Sequence, residues 1–263
     1  MPLYNKVGVV VALVALALFV SFALAWPARD FALGGLSLAL SGRILLGLLT
    51  VGLAGAGADA IVRSNLKLKP RQLSRTFLWC ILPTAVTAAA WVLLSRLPDL
   101  AHRVTGIVAS AGALAVLITA EYEAAGPATR WRGVLGIVLQ FATYAVAALL
   151  YGAVYPASLD VTAARAAVLV SAFMALRLLG GEKLPLPRIL GASAGIGLLL
   201  GAISWLLHPR VASAVTYSLT LVTFLYMLVG LARQFLWGKL RGEVVVEYLL
   251  VGLAALVLLF LAR

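Results

Sequence analysis

The sequence predicts an all-α polytopic membrane protein: about nine transmembrane helices (eight or nine) forming a single transmembrane domain over residues 1–263. Composition is the first observation behind this prediction. Hydrophobic residues make up 63% of the 263 residues and charged residues 11%, whereas soluble domains are about a quarter charged. The second observation is a series of apolar runs, most of them close to the roughly 20 residues that a helix needs to cross a bilayer. The connections between the runs are too short for a sizeable soluble domain.

The first five predicted spans are bounded by charged residues, prolines or aromatic residues. We expect the first span to be a retained helix rather than a cleaved signal, because further spans follow it. Pro83 lies inside the third span and is a potential kink. The five spans are Val7–Ala25, Ile44–Val62, Thr76–Ser95, Val104–Ala120 and Gly133–Tyr155.

An additional apolar run, Phe31–Leu40, lies between the first two spans and is too short to cross the bilayer. Two alternatives remain open for it: a helix lying at the membrane interface, or a re-entrant piece. Either would leave the count of spans unchanged.

Four more spans are predicted in the second half of the chain. The sixth is short, so its crossing depends on tilt or on snorkelling of the arginines that bracket it, Arg165 and Arg177. The four spans are Ala166–Leu179, Ile189–Leu207, Ala214–Ala232 and Val244–Ala262.

The distribution of basic residues predicts the orientation of the chain. With nine spans and the N-terminus inside, fourteen of the 21 Lys and Arg residues fall on the inner side, and the segment 63–75 alone supplies five. The positive-inside rule therefore favours an inner N-terminus and an outer C-terminus, in a prokaryotic cytoplasmic (cell inner) membrane. The net charge of +12 lies in short connections, so we expect anionic lipid headgroups as its partners, and no nucleic acid.

The seventh predicted span is rich in glycine. Gly191 and Gly195 form one GxxxG pair, and Gly197 and Gly201 form a second. Small residues let membrane helices approach closely, and the two pairs point in directions about 120° apart on a helix. The spacing predicts a helix that packs against neighbours on two sides.

The same span contains a G-x-S-x-G pattern around Ser193, which in soluble hydrolases marks a nucleophile on a strand-to-helix turn. Here it lies near the start of an apolar span, and a serine nucleophile needs a base within hydrogen-bond reach. Paired histidines across a helical bundle can hold a haem or another metal centre, but the two histidines, His102 and His208, both map to loops at the outer face. We therefore predict no catalytic, cofactor-binding or metal-binding residues, and the single cysteine, Cys80, permits neither an intrachain disulfide nor a cysteine-based metal site.

Polar side chains form stripes on two spans. Their spacing places them on one face of each helix, where they could line an internal pocket or form interhelical hydrogen bonds. The hydrogen-bonding interpretation is favoured, because Thr and Ser in membrane helices also bond their own backbone carbonyls. The candidate internal polar face comprises Gln140, Tyr144, Tyr151, Thr216, Thr220 and Thr223.

Ionisable residues within membrane spans are candidates for function by default. In this chain they lie near the ends of spans, which disfavours an ion-coupled pump. The candidate inner-face charged cluster comprises Asp59, Glu121, Glu123, Arg132, Arg177 and Glu247.

Three functions remain open at this point. Sparse polar groups, short loops and abundant small residues favour a non-enzymatic structural or accessory subunit, which would pack with other membrane proteins or with its own copies. The first alternative is a small transporter or binder of a lipid-like or weakly polar solute, using the polar stripes. The second is a membrane enzyme that acts on lipid-linked substrates at the inner interface, with Glu121, Glu123, Arg130 and Arg132 as its candidate groups.

Overall fold

The computed structural model describes nine α-helices and one two-stranded hairpin. Eight of the nine helices are long and apolar enough to cross a membrane. The ninth has twenty residues, of which Val245–Ala254 count as an apolar helix among the described residues. The predicted helical membrane bundle is confirmed. The described residues are 3–24, 28–33, 36–65, 75–125, 132–155, 160–181, 184–207, 213–239 and 241–261.

Each of the nine predicted spans corresponds to one helix of the structure. All of them except α3 begin earlier or end later than the predicted spans, because helical hydrogen bonding continues into the polar flanks. In order they are α1 (Leu3–Ala23), α2 (Gly42–Asn65), α3 (Phe77–Ser95), α4 (Leu100–Ala125), α5 (Arg132–Val154), α6 (Asp160–Leu179), α7 (Leu186–Leu207), α8 (Ala214–Leu236) and α9 (Gly242–Leu261).

The apolar run between α1 and α2 is not a helix, which corrects the interfacial-helix expectation for Phe31–Leu40. Two antiparallel strands occupy it, β1 (Ala28–Leu33) and β2 (Leu36–Ser41). Their register pairs Ala28 with Ser41 and Leu33 with Leu36. Gly34-Gly35 stands between the strands in the sequence, and a two-residue Gly-Gly connection is a typical hairpin signal. The prediction for this run used hydrophobicity alone and did not take that signal into account.

The chain divides into two compact units, and the first covers Met1–Leu139. In it α1 packs on α2 and α4, and α3 packs on α2 and α4. Its core contains buried aliphatic side chains, among them Val14, Leu18, Leu114 and Ile118. α3 continues through Pro83, and Thr87 Oγ1 donates to the Pro83 carbonyl at 2.9 Å.

The second unit covers Gln140–Arg263. Its helices pack in chain order, α6 on α7, α7 on α8 and α8 on α9, and α6 also contacts α8. The most extensive packing is between α6 and α7. Its core includes Leu179, Ile189, Leu200 and Leu221, each fully buried.

Candidate functional site

The contact between α6 and α7 is built on the second glycine pair. A methyl group at Gly197 would lie 2.8 Å from the carbonyl oxygen of Val168 and 2.9 Å from Cβ of Ala172. A methyl group at Gly201 would meet the Val168 side chain and lie 3.3 Å from the Ala164 carbonyl oxygen. Glycine at both positions lets the two backbones touch, which is how small residues hold membrane helices together.

The first glycine pair lies elsewhere on α7 and is open. A Cβ added at Gly191 or Gly195 would have no heavy atom within 4 Å in the described structure. Gly191 is exposed, and so are the neighbours that share its side of the helix, Ala194, Leu198 and Ala202. We call these four residues the open α7 face. Three of its four side chains are hydrogen or methyl, and Leu198, which is 65% exposed, is the one that projects from it.

The serine of the G-x-S-x-G pattern is inside the unit. Ser193 is 3% exposed, and α7 is helical from before it to well after it, so the strand-to-helix turn of a hydrolase nucleophile is not formed. Its Oγ has no hydrogen-bond partner among the described residues. Of the two histidines, His102 Nδ1 lies 3.3 Å from the Asp99 carboxylate in the first unit, and His208 is outside the described residues.

The polar stripe residues in the second unit are mostly engaged by protein groups. The Tyr151 hydroxyl lies 2.7 Å from Oγ of Ser171 on α6, with both residues buried. On α8, Thr220 donates to the Thr216 carbonyl at 2.7 Å, and Thr223 donates to the carbonyl of Leu219 at 2.9 Å. Tyr151 and Thr220 are each 1% exposed, so neither lines an open cavity.

Two further stripe residues, Gln140 and Tyr144, belong to an aromatic row. Gln140 is hydrogen-bonded to Tyr144 one turn away on α5. The Tyr144 ring packs edge-on against Tyr226 at 6.0 Å between centroids, and Tyr226 lies 5.9 Å from Tyr248 on α9. These rings join α5, α8 and α9 at one level of the second unit.

One buried polar pair was missed by the sequence reasoning. Oγ of Ser204 on α7 lies 2.6 Å from the hydroxyl of Tyr217 on α8, and both residues are fully buried. The Tyr217 ring also packs against Tyr155 at 5.2 Å. The sequence did contain one signal for this pair. Ser204 is a single polar residue in an apolar stretch, and a hydroxyl in a membrane helix is stabilised by a hydrogen-bond partner.

The charged residues of the first unit fall into two separate places. Arg63 Nε lies 2.7 Å from Asp59 and also donates to Thr76 Oγ1 at 3.0 Å, which ties the end of α2 to the start of α3. Glu121 is fully buried, and both it and Asp59 are close enough to the Cys80 thiol to act on it electrostatically.

Glu123 points away from this group. It is half-buried and lines a groove of about 510 Å³ between α1 and α4. Two residues along a helix correspond to a rotation of about 200°, so Glu121 and Glu123 cannot face one substrate together. The Arg132 side chain lies outside the described residues. In the second unit, Arg177 is half-buried on α6 and Glu247 is exposed on α9.

The second unit also carries a larger groove, of about 740 Å³, between α7, α8 and α9. We call it the unit 2 groove. Its walls are aliphatic and aromatic, with Gly195 in the wall that α7 supplies. Arg188 is the one charged residue among the described residues that line it. The α7 side of the groove is formed by Arg188, Ala192, Gly195, Ile196 and Leu199, and the opposite side by Leu228, Leu231, Ala232, Phe235, Leu236 and Val245.

No group of three or more His, Cys, Asp or Glu residues that could hold a metal ion occurs among the described residues. Two apolar surfaces in the described part of the second unit are candidates for recognition, the open α7 face and the unit 2 groove.

These features define a multi-pass helical membrane protein. The chain belongs to a family described as "Protein of unknown function (DUF5656)", whose model matches residues 26–262. Neither the curated proteins nor the solved structures contain a match to this chain.

Proposed function

We propose that the protein is a non-enzymatic accessory or structural subunit of a membrane assembly, and that the open α7 face is where a partner helix docks. We place it in a prokaryotic cytoplasmic membrane, with the N-terminus inside and the C-terminus outside. The observation that carries the proposal is the difference between the two glycine pairs of α7. Gly197 and Gly201 already hold α6, whereas Gly191 of the first pair lies on an exposed face where an added Cβ would meet no heavy atom within 4 Å.

The physical argument for a docking face rests on the membrane environment. In lipid, a helix with large aliphatic side chains gains little by exchanging lipid contacts for contacts with another helix. Helix association there depends instead on close backbone approach and tight packing. Three of the four residues of the open α7 face are Gly or Ala, so a partner helix could pack closely against α7 at Gly191 and Ala194, with Leu198 as a further contact. The partner is a different membrane protein or a second copy of this chain.

The engagement of the polar stripes supports this function over transport. A solute pathway would need polar groups that face an open space. Tyr151 and Thr220 are buried and bonded within the protein, and Thr223 is bonded to its own helix. In the same way, the divergence of Glu121 and Glu123 supports a subunit over an enzyme with a carboxylate pair at the inner interface.

The test is purification from native membranes in a mild detergent, followed by quantitative mass spectrometry of co-purifying proteins. Gly191→Leu adds a bulky side chain where there is open space, so folding is preserved while docking is blocked. Gly112→Leu is the matched control, because Gly112 is also an exposed helical glycine with no heavy atom within 4 Å of an added Cβ. A second, differently tagged copy of the chain in the same cells detects self-association.

The expected result is a partner, or the second copy, at near-equal amount with wild type and Gly112→Leu, and a loss of at least tenfold with Gly191→Leu. Monomeric behaviour of the wild type with no stoichiometric partner would overturn the proposal. So would a partner that Gly191→Leu retains as well as the control does.

A further inference from the structure

We propose that the unit 2 groove is a binding site for one anionic phospholipid, with an acyl chain along the groove and the phosphate at the Arg188 end. This goes beyond the proposed function, since the groove faces α8 and α9 and is distinct from the open α7 face. The lipid would be a fixed component of the second unit rather than a transported solute.

The length of the groove fits one leaflet. On α7 it extends from Arg188 to Leu199, eleven residues or about 16 Å at 1.5 Å per residue. The hydrocarbon core of a bilayer is about 30 Å thick, so the groove reaches from one membrane surface to about the midplane. A lipid of one leaflet has this length, whereas a transmembrane helix would continue along the whole of α7.

The volume and lining of the groove favour lipid as well. At about 740 Å³ it is in the range of small-molecule sites, roughly 300–1,000 Å³. Its floor at Ala192 and Gly195 is low, and its walls at Leu199, Leu228 and Phe235 are bulky and apolar. The groove is shallow and open to the surroundings, and a flexible hydrocarbon chain can lie against its floor between these walls.

The end of the groove at Arg188 is positively charged. Arg188 is exposed there, close to where α7 begins, α8 ends and α9 begins. The two connections at this end, residues 180–188 and 237–243, carry four basic and two acidic residues. Two helices also begin here, and helix N-termini favour negative charge.

The acidic residues of α9 lie on the other side of that helix. Val245 lines the groove, and Glu243 and Glu247 are each two residues away, which is a rotation of about 160° from Val245. The groove of the first unit is a useful contrast. Its charged lining residue is Glu123, so the same argument gives it no preference for an anionic lipid.

The experiment is native mass spectrometry of the full chain in a non-ionic detergent, titrated with phosphatidylglycerol or with phosphatidylcholine of identical acyl chains. One basic residue near a membrane surface contributes about 1 kcal/mol toward anionic lipid, or about fivefold in affinity. We expect phosphatidylglycerol to bind at least fivefold more tightly than phosphatidylcholine. Arg188→Gln should remove about fivefold of the phosphatidylglycerol affinity and lower that of phosphatidylcholine much less, because choline balances its phosphate charge; Arg188→Lys should retain the preference.

A second pair of variants tests the groove itself. Gly195→Leu places a side chain in the groove at a position where an added Cβ has no heavy atom within 4 Å, and should weaken binding of both lipids at least fivefold. Gly191→Leu, four residues earlier on the same helix and outside the groove, should bind as wild type does. Gel filtration and thermal unfolding show whether the variants are folded. If Gly195→Leu does not fold, Arg188→Gln still tests the proposal, because Arg188 is exposed.

Equal affinity of the wild type for the two lipids would overturn the proposal. Unchanged phosphatidylglycerol affinity in Arg188→Gln would also overturn it, as would equal binding by Gly195→Leu and Gly191→Leu. Because Gly191→Leu is the variant that blocks partner docking, a failure here is distinguishable from a failure of the proposed subunit function.

Discussion

The hydroxyl of Tyr151 on α5 donates to Oγ of Ser171 on α6, across 2.7 Å. The direction of the bond follows from the next one, because the Ser171 hydroxyl donates to the Ala167 carbonyl at 2.5 Å. Both side chains are out of contact with lipid and water. The Tyr151 hydroxyl therefore has Ser171 as its acceptor, whereas the Ser171 hydroxyl keeps its own acceptor, the Ala167 carbonyl, whether or not Tyr151 is present.

This asymmetry predicts that Ser171→Ala destabilises the protein more than Tyr151→Phe. Ser171→Ala leaves a buried tyrosine hydroxyl without its acceptor, at a cost of about 1–3 kcal/mol. Tyr151→Phe removes one interhelical bond, worth about 0.6 kcal/mol on average in membranes, and Ser171 keeps its bond to Ala167. Unfolding free energies in mixed micelles measure both, with Tyr4→Phe, on an exposed ring, as the control. A larger loss for Tyr151→Phe would contradict the assigned direction.

The two glycine pairs predict opposite responses to a single added methyl group. Gly197→Ala forces a Cβ against the Val168 backbone, and overpacking of this kind costs about 1–3 kcal/mol. Gly191→Ala adds a methyl in open space and should change the free energy of unfolding of the isolated protein by less than about 0.5 kcal/mol. Thermal unfolding in one detergent compares the two variants. Equal effects would show that α6 and α7 do not approach as closely as described.

The charge distribution predicts the sidedness of the connections. In a Cys80→Ala background, Asp99→Cys before α4 should react with a membrane-impermeant maleimide in cells with intact cytoplasmic membranes. Arg241→Cys before α9 should react only after permeabilisation. Both positions are exposed, so differences in labelling report the side of the membrane. The reverse pattern would invert the predicted orientation.

The helices were predictable from the sequence because span length and apolar content are imposed by the bilayer itself. Every predicted span has its helix, including the short sixth run, where α6 begins at Asp160 and gains the length that the apolar residues alone lack. The hairpin Ala28–Ser41 was not predictable from hydrophobicity, since a short apolar run can form either a strand or a short helix.

Side-chain partners across helices were harder to predict than the helices. The spacing of Gly197 and Gly201 indicated a packing face, but the same spacing at Gly191 and Gly195 belongs to an open surface. Periodicity shows which residues share a face and not what lies opposite. The Ser204–Tyr217 pair and the unit 2 groove depend on which helices are neighbours, and a single sequence carries no direct signal for that.

Site-specific photo-crosslinking in native membranes tests the central claim most directly. A benzophenone amino acid at Leu198, a 65% exposed residue of the open α7 face, should form one discrete protein adduct that Gly191→Leu abolishes. The same amino acid at Phe173 on α6, which is 54% exposed and outside that face, should give no protein adduct. Crosslinking at both positions alike, or at neither, would contradict a docking function for the open α7 face.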